Sequence, residues 1–404
     1  MKAHRAFCYK LAPTPEQECL IRQFAGVTRL VYNLALVQRR DWWRQFKSQT
    51  GSNLNYVAQA KDLTALRAEF PWIAAVSQTA QQQALRDLDK AYANFFAGRA
   101  GYPKPRKRGV HNSFRFQGRE VEVRKLNRKW AEVRLPKIGK VKFRLTRPVS
   151  GKILNATVMH TALGWHIALA CEMELPEPQA RGLAAVGIDR GVANTLALST
   201  GEMMSLPDSF HLLDKKKRRA QKVMSRRRRG SKRHAKAMRR VKEHAAKAAR
   251  VRKDWHHKAA LDLSRRFGAV VLEDLKIRNM TASARGTLAE PGRNVRAKAG
   301  LNRSILEQGW HAFESILAYK MEERGGVIGK INPVYTSQTC SHCDTRDSSS
   351  RKNQAEFACR SCGFEARADH NAALNILRRW NTPLLSVEAC GYAACEAETS
   401  LKAA

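Results

Sequence analysis

"CRSCGFEARADHNAALNI", residues 359–376, carries two kinds of chemistry in one short run. Cys359 and Cys362 form a Cys-x-x-Cys pair. Asp369 follows seven residues later and opens a helical pattern, with Ala372, Ala373, Leu374, Ile376 and Leu377 to bury. Upstream lies a second pair, Cys340 and Cys343, separated from Cys359 by 15 residues. This is the spacing of a four-thiolate zinc ribbon, in which each turn aims two sulfurs at one ion. Four protein ligands leave no position for water or substrate, so this Zn2+ is structural and not the catalyst. The intervening loop, "DTRDSSSRKNQAEFA", is polar enough to lie on the surface. The scattered Cys8, Cys19, Cys171, Cys390 and Cys395 read as inert, and this cysteine usage fits a reducing compartment.

Around this stretch the chain is strongly basic. Its 404 residues hold 74 Lys+Arg against 35 Asp+Glu, a net charge of +39. Such an excess repels itself in a compact fold unless a polyanion neutralises it, and nucleic acid is the natural one. A hydrophobic content of 43% is that of a globular chain, long enough for two or three domains. No run approaches the roughly 20 apolar residues of a membrane span. The opening "MKAHRAFCYKLAPTPEQ" has no signal-peptide pattern, so a cytoplasmic protein is expected.

Residues 1–12 alternate as a strand, and a helix follows with Leu20, Phe24, Val27, Val31 and Leu34 at helical spacing. A second helix, "TAQQQALRDLDKAYANFFAG", carries Leu85, Leu88, Tyr92, Phe95 and Phe96 as core. From 113 to 174 the pattern changes to period two, as in an antiparallel sheet or small barrel. "LPEPQA" reads as a linker. Lys215–Lys253 contains 20 Lys+Arg and one acid, Glu243, and reads as two helices broken near Gly230 and Ser231. Its candidate phosphate contacts are Lys215, Lys216, Lys217, Arg218, Arg219, Arg226, Arg227, Arg228, Arg229, Lys232, Arg233, Arg239 and Arg240. "GRNVRAKAGLNRS" reads as a flexible basic loop, and "SILEQGWHAFESILAYKMEERGG" as one amphipathic helix.

Three acids stand where an apolar element meets a polar turn: Asp189 after "AVGI", Glu273 after "AVVL", and Asp369. One acid at a strand end is usually a cap or an ion pair. Three suit phosphodiester hydrolysis by two Mg2+ ions, which need a cluster of oxygen ligands.

"GIDRGVANTLALSTG", "LEDLKI", "GWHAFESILAYK", "YTSQTCSHC" and "CRSCGFEARADHNAALNI", in this order, resemble TnpB, the OrfB-type protein of bacterial insertion sequences, related to type V CRISPR effectors. The resemblance runs from the early "RLVYN" to "NAALNI". It implies an α/β multi-domain fold. A wedge β-barrel (1–14 and 110–180) would carry an inserted helical recognition domain (15–109). An RNase H-like RuvC nuclease domain (181–333 and 367–380) would carry a basic helical insertion (214–258) and the zinc ribbon (334–366). A mobile tail would follow (381–404). Residue by residue, Asp189, Glu273 and Asp369 match the catalytic acids. The partners implied are a guide RNA from the transposon end and double-stranded target DNA, with no membrane and no small-molecule substrate. Ser77, Gln78 and Gln82 are the candidates for reading a short motif beside the target. Asp344 stands where the family often has Gly, and Met321 where Ala is usual. The alternatives are an RNA-guided repressor that does not cut and a strand-transfer transposase. All three acids are present, against the first. The ribbon and the basic insertion stand against the second.

Overall fold

The alternation at the N-terminus becomes strand β1 (Lys2–Ala12), with Phe7, Tyr9 and Leu11 turned inward and buried. The structure is a computed structural model that describes residues 1–50, 54–179 and 182–381. The chain divides into two units, Met1–Pro176 and the remainder from Glu177, so the linker read at "LPEPQA" falls on the boundary. Residues 382–404, with Cys390, Cys395 and nearly all of the expected tail, lie outside the described residues; Asn381 ends a helix.

In the first unit, Thr14 and Gln17 cap helix α1 (Pro15–Thr50) reciprocally, each side chain accepting from the other's backbone N–H at 3.3 and 3.1 Å. Helices α2 (Tyr56–Glu69), α3 (Pro71–Ala74) and α4 (Gln78–Phe96) follow. Strands β2 (Ser113–Gln117), β3 (Glu122–Lys125), β4 (Trp130–Leu135), β5 (Gly139–Arg144), β6 (Lys152–Thr161) and β7 (Gly164–Glu174) complete the unit. The sheet order is β2-β6-β7-β1-β5-β4-β3, antiparallel throughout. β1 pairs with β7 over Lys2–Lys10 and switches to β5 at Leu11. Hydrogen bonding leaves β2 and β3 as edges, so the ring expected of a barrel does not close among the described residues. Phe24 of α1 packs on Phe114 and Phe116 of β2 at 5.2 and 6.0 Å between ring centres.

Two readings of the apolar faces need correction. Leu34 is 46% exposed, because the stripe through Phe24, Val27 and Val31 continues one residue further on, to Ala35. Phe96 is 68% exposed, because α4 ends there and leaves its last ring beyond the core.

In the second unit, strands β8 (Ala185–Asp189), β9 (Leu196–Leu198) and β10 (Met203–Met204) form an antiparallel meander. Helices α5 (Asp208–Ser225) and α6 (Lys232–Arg266) come next, with the break where Gly230 and Ser231 place it; Ser231 caps α6. Strand β11 (Ala269–Glu273) runs parallel to β8. After it come α7 (Ile277–Met280), α8 (Val295–Gln308), α9 (Trp310–Glu322) and β12 (Val327–Ile331), which runs parallel to β11. The sheet order is β10-β9-β8-β11-β12. A hairpin, β13 (Glu356–Ala358) and β14 (Glu365–Arg367), leads into α10 (Ala368–Asn381).

The expected basic loop at 292–304 is therefore helical from Val295. Arg, Lys, Ala and Leu hold a helix well. The single helix expected over 304–326 is two. Gly309 adopts φ +69 between α8 and α9, a conformation that suits glycine and ends a helix.

Helix α10 lies directly on β8 at Gly187. A Cβ there would overlap the Ala373 carbonyl and stand 2.7 Å from the Leu377 nitrogen, both backbone atoms that cannot yield without moving the helix. Gly187→Ala is expected to destabilise the protein by about 1–3 kcal/mol, the usual cost of overpacking. Chemical denaturation checks this; an unchanged midpoint would contradict the packing.

Candidate active site

Three elements deliver the three acids. Parallel β8 and β11 are neighbours and end on Asp189 and Glu273, so both carboxylates leave the same edge of the sheet. Asp369 lies in the first turn of α10, the helix packed on β8. In the β8–β9 loop, Asn194 Nδ2 donates to Asp369 Oδ2 at 3.2 Å, so the loop leaving the first acid reaches the third.

Burial, followed by the charges of Glu273 and Asp369, pushes the Asp189 carboxyl up to about 7. Burial also raises Glu273, against the hydrogen bond that Thr336 Oγ1 donates to its Oε1 at 2.5 Å and the nearby charge of Arg190. Arg190 is itself buried. One guanidinium nitrogen donates to the Glu273 carbonyl and another to Glu314 Oε2 at 3.0 Å, and Lys330 also pairs with Glu314, at 2.6 Å. Arg190 thus ties the strand end that bears Glu273 to α9.

Crowded acids that raise one another's affinity for protons are relieved by cations. The four cysteine sulfurs all lie within 4.8 Å of one another.

The pH dependence follows from Asp189. Its folded-state pKa of about 7 lies above the ordinary 3.8. Its contribution to stability is therefore present below pH 3.8 and lost as pH rises through about 7. Added Mg2+ is expected to raise Tm by a few degrees at pH 8.5 and by much less at pH 6. Thermal melts of wild type against Asp189→Asn check this, the variant showing little dependence of the Mg2+ effect on pH.

The four cysteines do converge. Cys340 and Cys362 have sulfurs 3.7 Å apart, and Cys343 and Cys359 3.5 Å apart. Tetrahedral zinc with bonds of about 2.3 Å places its sulfurs about 3.8 Å apart. The two knuckles repeat one geometry: the N–H of Asp344 donates to the Cys340 carbonyl, and that of Gly363 to the Cys359 carbonyl, both at 3.0 Å. Asp344 and Gly363 both have left-handed backbone, φ +63 and +73, which is why glycine suits the position. Here Asp344 occupies it and pairs with Arg378 at 3.2 Å.

The basic run divides by face. Lys217 pairs with Glu307 at 3.1 Å and with Asp214, and Arg218 with Asp214 at 2.5 Å and Glu307 at 3.6 Å. Both were expected to meet phosphate, and both are engaged within the protein. Asp214 lies one residue before the run and Glu307 is 90 residues from Lys217, which hid the pairing. Lys215, Lys216, Arg219, Arg226, Arg227, Arg228, Arg229, Lys232, Arg233, Arg239 and Arg240 are exposed. Arg239 pairs with Glu243 at 3.5 Å. Between α5 and α6 runs a groove of about 510 Å³ lined by Lys216, Arg219, Arg227, Arg233, Lys236, Arg240 and His244, with Ala220, Val223 and Ala237 and no acid. Of the candidates for motif reading, Gln78 is exposed, Gln82 partly so and Ser77 buried.

Sequence reading missed Arg190, Asn194, Thr336, Asn371 and Asn375. Each sits inside a stretch already singled out. For the last two the available signal was an asparagine pair at i, i+4 on an otherwise apolar helix face.

Among known proteins, a family model described as "Probable transposase" matches residues 168–284, and one described as "Cas12f1-like, TNB domain" matches 310–376. A "Helix-turn-helix domain" model matches 1–48, which here form a strand and one long helix. The chain is 38% identical over 393 residues to "Putative RNA-guided DNA endonuclease InsQ" of Escherichia coli (strain K12), covering 97% of this chain and 95% of the relative. It is 31% identical over 397 residues to a "Putative RNA-guided DNA endonuclease" of Streptomyces pristinaespiralis, covering 96% and 91%. In fold it resembles Cas12f1 in a cryo-EM sgRNA–target DNA complex (TM-score 0.58, 13% identity, 93% of this chain and 99% of that one). A second likeness is the mini RNA-guided endonuclease CRISPR-Cas_phi3 (TM-score 0.51, 9% identity, 94% and 92%). With full-length identity of this order joined to a carboxylate edge and a four-thiol ribbon, the chain belongs to the OrfB/TnpB family.

Proposed function

We propose that this chain is an RNA-guided DNA endonuclease that hydrolyses phosphodiester bonds at Asp189, Glu273 and Asp369. The observation that carries the reading is the convergence of these acids, with Asp189 pushed up to about 7 by burial and by the other two. The meander β8–β9–β10, with β11 returning parallel beside β8, supports an RNase H-like RuvC domain. The first unit would hold the wedge and recognition domains. Its occupants would be a guide RNA from the element's own end and double-stranded target DNA, met beside a short motif. Action in the cytoplasm, where that DNA lies, accords with the chemistry. No described helix is long and apolar enough to cross a membrane.

Asp189, Glu273 and Asp369 would hold two Mg2+ ions, which when bound supply an activated water and stabilise the leaving 3′ oxygen. Without them Asp189 holds a proton near neutral pH, Asn194 steadies Asp369, and Thr336 and Arg190 fix Glu273 and its strand end. The exposed cations of the α5–α6 groove would follow a phosphate backbone. Base pairing with the guide would select the sequence.

The test is purification with co-expressed RNA from the element's end, followed by incubation with plasmids that match or mismatch the guide. Cleavage of the matched plasmid alone, dependent on Mg2+, is the expected result. Cleavage indifferent to the guide, or no cleavage by a complex that binds the matched target, would refute the reading.

A further inference from the structure

Asn371 and Asn375 sit on α10, two and six residues beyond Asp369, and are 0% and 3% exposed. A buried amide is costly unless its donors and acceptor are satisfied. Both find partners on one short segment, 336–341. Asn371 Nδ2 donates to the Thr339 carbonyl at 2.8 Å, and its Oδ1 accepts from the Ser341 N–H at 2.9 Å. Asn375 Nδ2 donates to the Thr336 carbonyl at 2.9 Å and to that of Thr339 at 2.7 Å.

That segment has two functional ends. Near one end is Cys340, fully buried among the four thiols. At the other is Thr336, whose hydroxyl donates to Glu273 Oε1 at 2.5 Å. The chain enters through Tyr335 in left-handed backbone, φ +62, and Thr339 Oγ1 donates back to the Tyr335 carbonyl at 2.9 Å. A non-glycine residue keeps that conformation only where its surroundings enforce it. The first zinc knuckle, the helix of the third acid and the carboxylate of the second acid are thus joined by a continuous run of buried and half-buried hydrogen bonds.

Resting on the endonuclease reading, we propose that Thr336, Asn371 and Asn375 are positioning residues that transmit the order of the zinc knuckle to the Glu273 carboxylate. They touch no substrate. The asparagines tie the segment to α10, and the Thr336 hydroxyl commits one oxygen of Glu273. The other oxygen remains for a cation. Groups one step behind a metal ligand typically contribute 10- to 100-fold to metal affinity or activity.

The test uses the full chain in three forms: Thr336→Val, which keeps the shape and deletes the hydroxyl; Thr336→Ser, which restores it; and Asn375→Leu. Zinc per chain is assayed, Mn2+ affinity of the RNA-free protein is read by electron paramagnetic resonance, and the Mg2+ dependence of cleavage is measured in the guide complex. Thr336→Val and Asn375→Leu should keep their zinc while Mn2+ affinity falls by about 10- to 100-fold. The Mg2+ concentration for half-maximal cleavage should rise by a similar factor, and Thr336→Ser should behave as wild type. Unchanged Mn2+ affinity in zinc-loaded Thr336→Val would overturn the proposal, and that variant decides if Asn375→Leu does not fold. A wild type that binds Mn2+ but cuts nothing, with the variants weakened as stated, would sink the endonuclease reading and leave the positioning role of Thr336, Asn371 and Asn375 standing.

Discussion

Asp189→Ala is expected to abolish cleavage of guide-matched DNA, by about a thousandfold or more, while guide RNA and target remain bound. Metal ions at such a site contribute several kcal/mol of charge stabilisation, and each 1.4 kcal/mol or so is tenfold in rate. Asp189 is raised first by burial and then by the charges of both other acids, so its removal dismantles the cluster at its centre. The fold should tolerate the change, because an ionised carboxylate there is a burden without cations. Gel-based cleavage of plasmid together with filter binding of labelled target measures both quantities. Residual cleavage within tenfold of wild type would move the chemistry elsewhere.

Cys340→Ser or Cys359→Ser should release the zinc and take cleavage with it, although zinc performs no step of the reaction. Structural zinc contributes about 10 kcal/mol or more to folding in small zinc modules, and a ribbon of two short strands has little else to hold it. The ribbon's buried cluster is Cys340, Phe357, Cys359 and Ala368, and Ala368 is already the first residue of α10. Loss of the metal therefore frees both the start of the helix bearing Asp369 and the segment leading to Glu273. A chromogenic zinc assay and the cleavage assay should fall together. Full zinc content in both variants would disprove the four-thiolate site.

Much of this site was legible in the sequence because its parts are local. A Cys-x-x-Cys turn aims its own sulfurs, and an acid after four or five apolar residues marks the end of a buried strand. A 39-residue run with 20 cations announces a polyanion. Errors fell where the deciding partner is distant. Lys217 and Arg218 looked free because Glu307 is some 90 residues away. The helix expected across 304–326 breaks at Gly309, where a Cβ would stand 3.1 Å from Arg252 and His256 of another helix, a crowding that no local pattern records. Ser77, read together with surface candidates, is buried at the N-cap of α4.

By itself, then, the sequence determined the ligand types, the zinc spacing, the three candidate acids and the sign of the partner. These depend on residue identity and separation along the chain. Tertiary structure alone decided that Asp189 and Glu273 share a sheet edge and that Gly187 lets α10 bring Asp369 to it. It also decided that Thr336 and two asparagines join that edge to the zinc knuckle. Those are contacts between residues tens to well over a hundred positions apart, and their energies exist only once β8, β11 and α10 are packed.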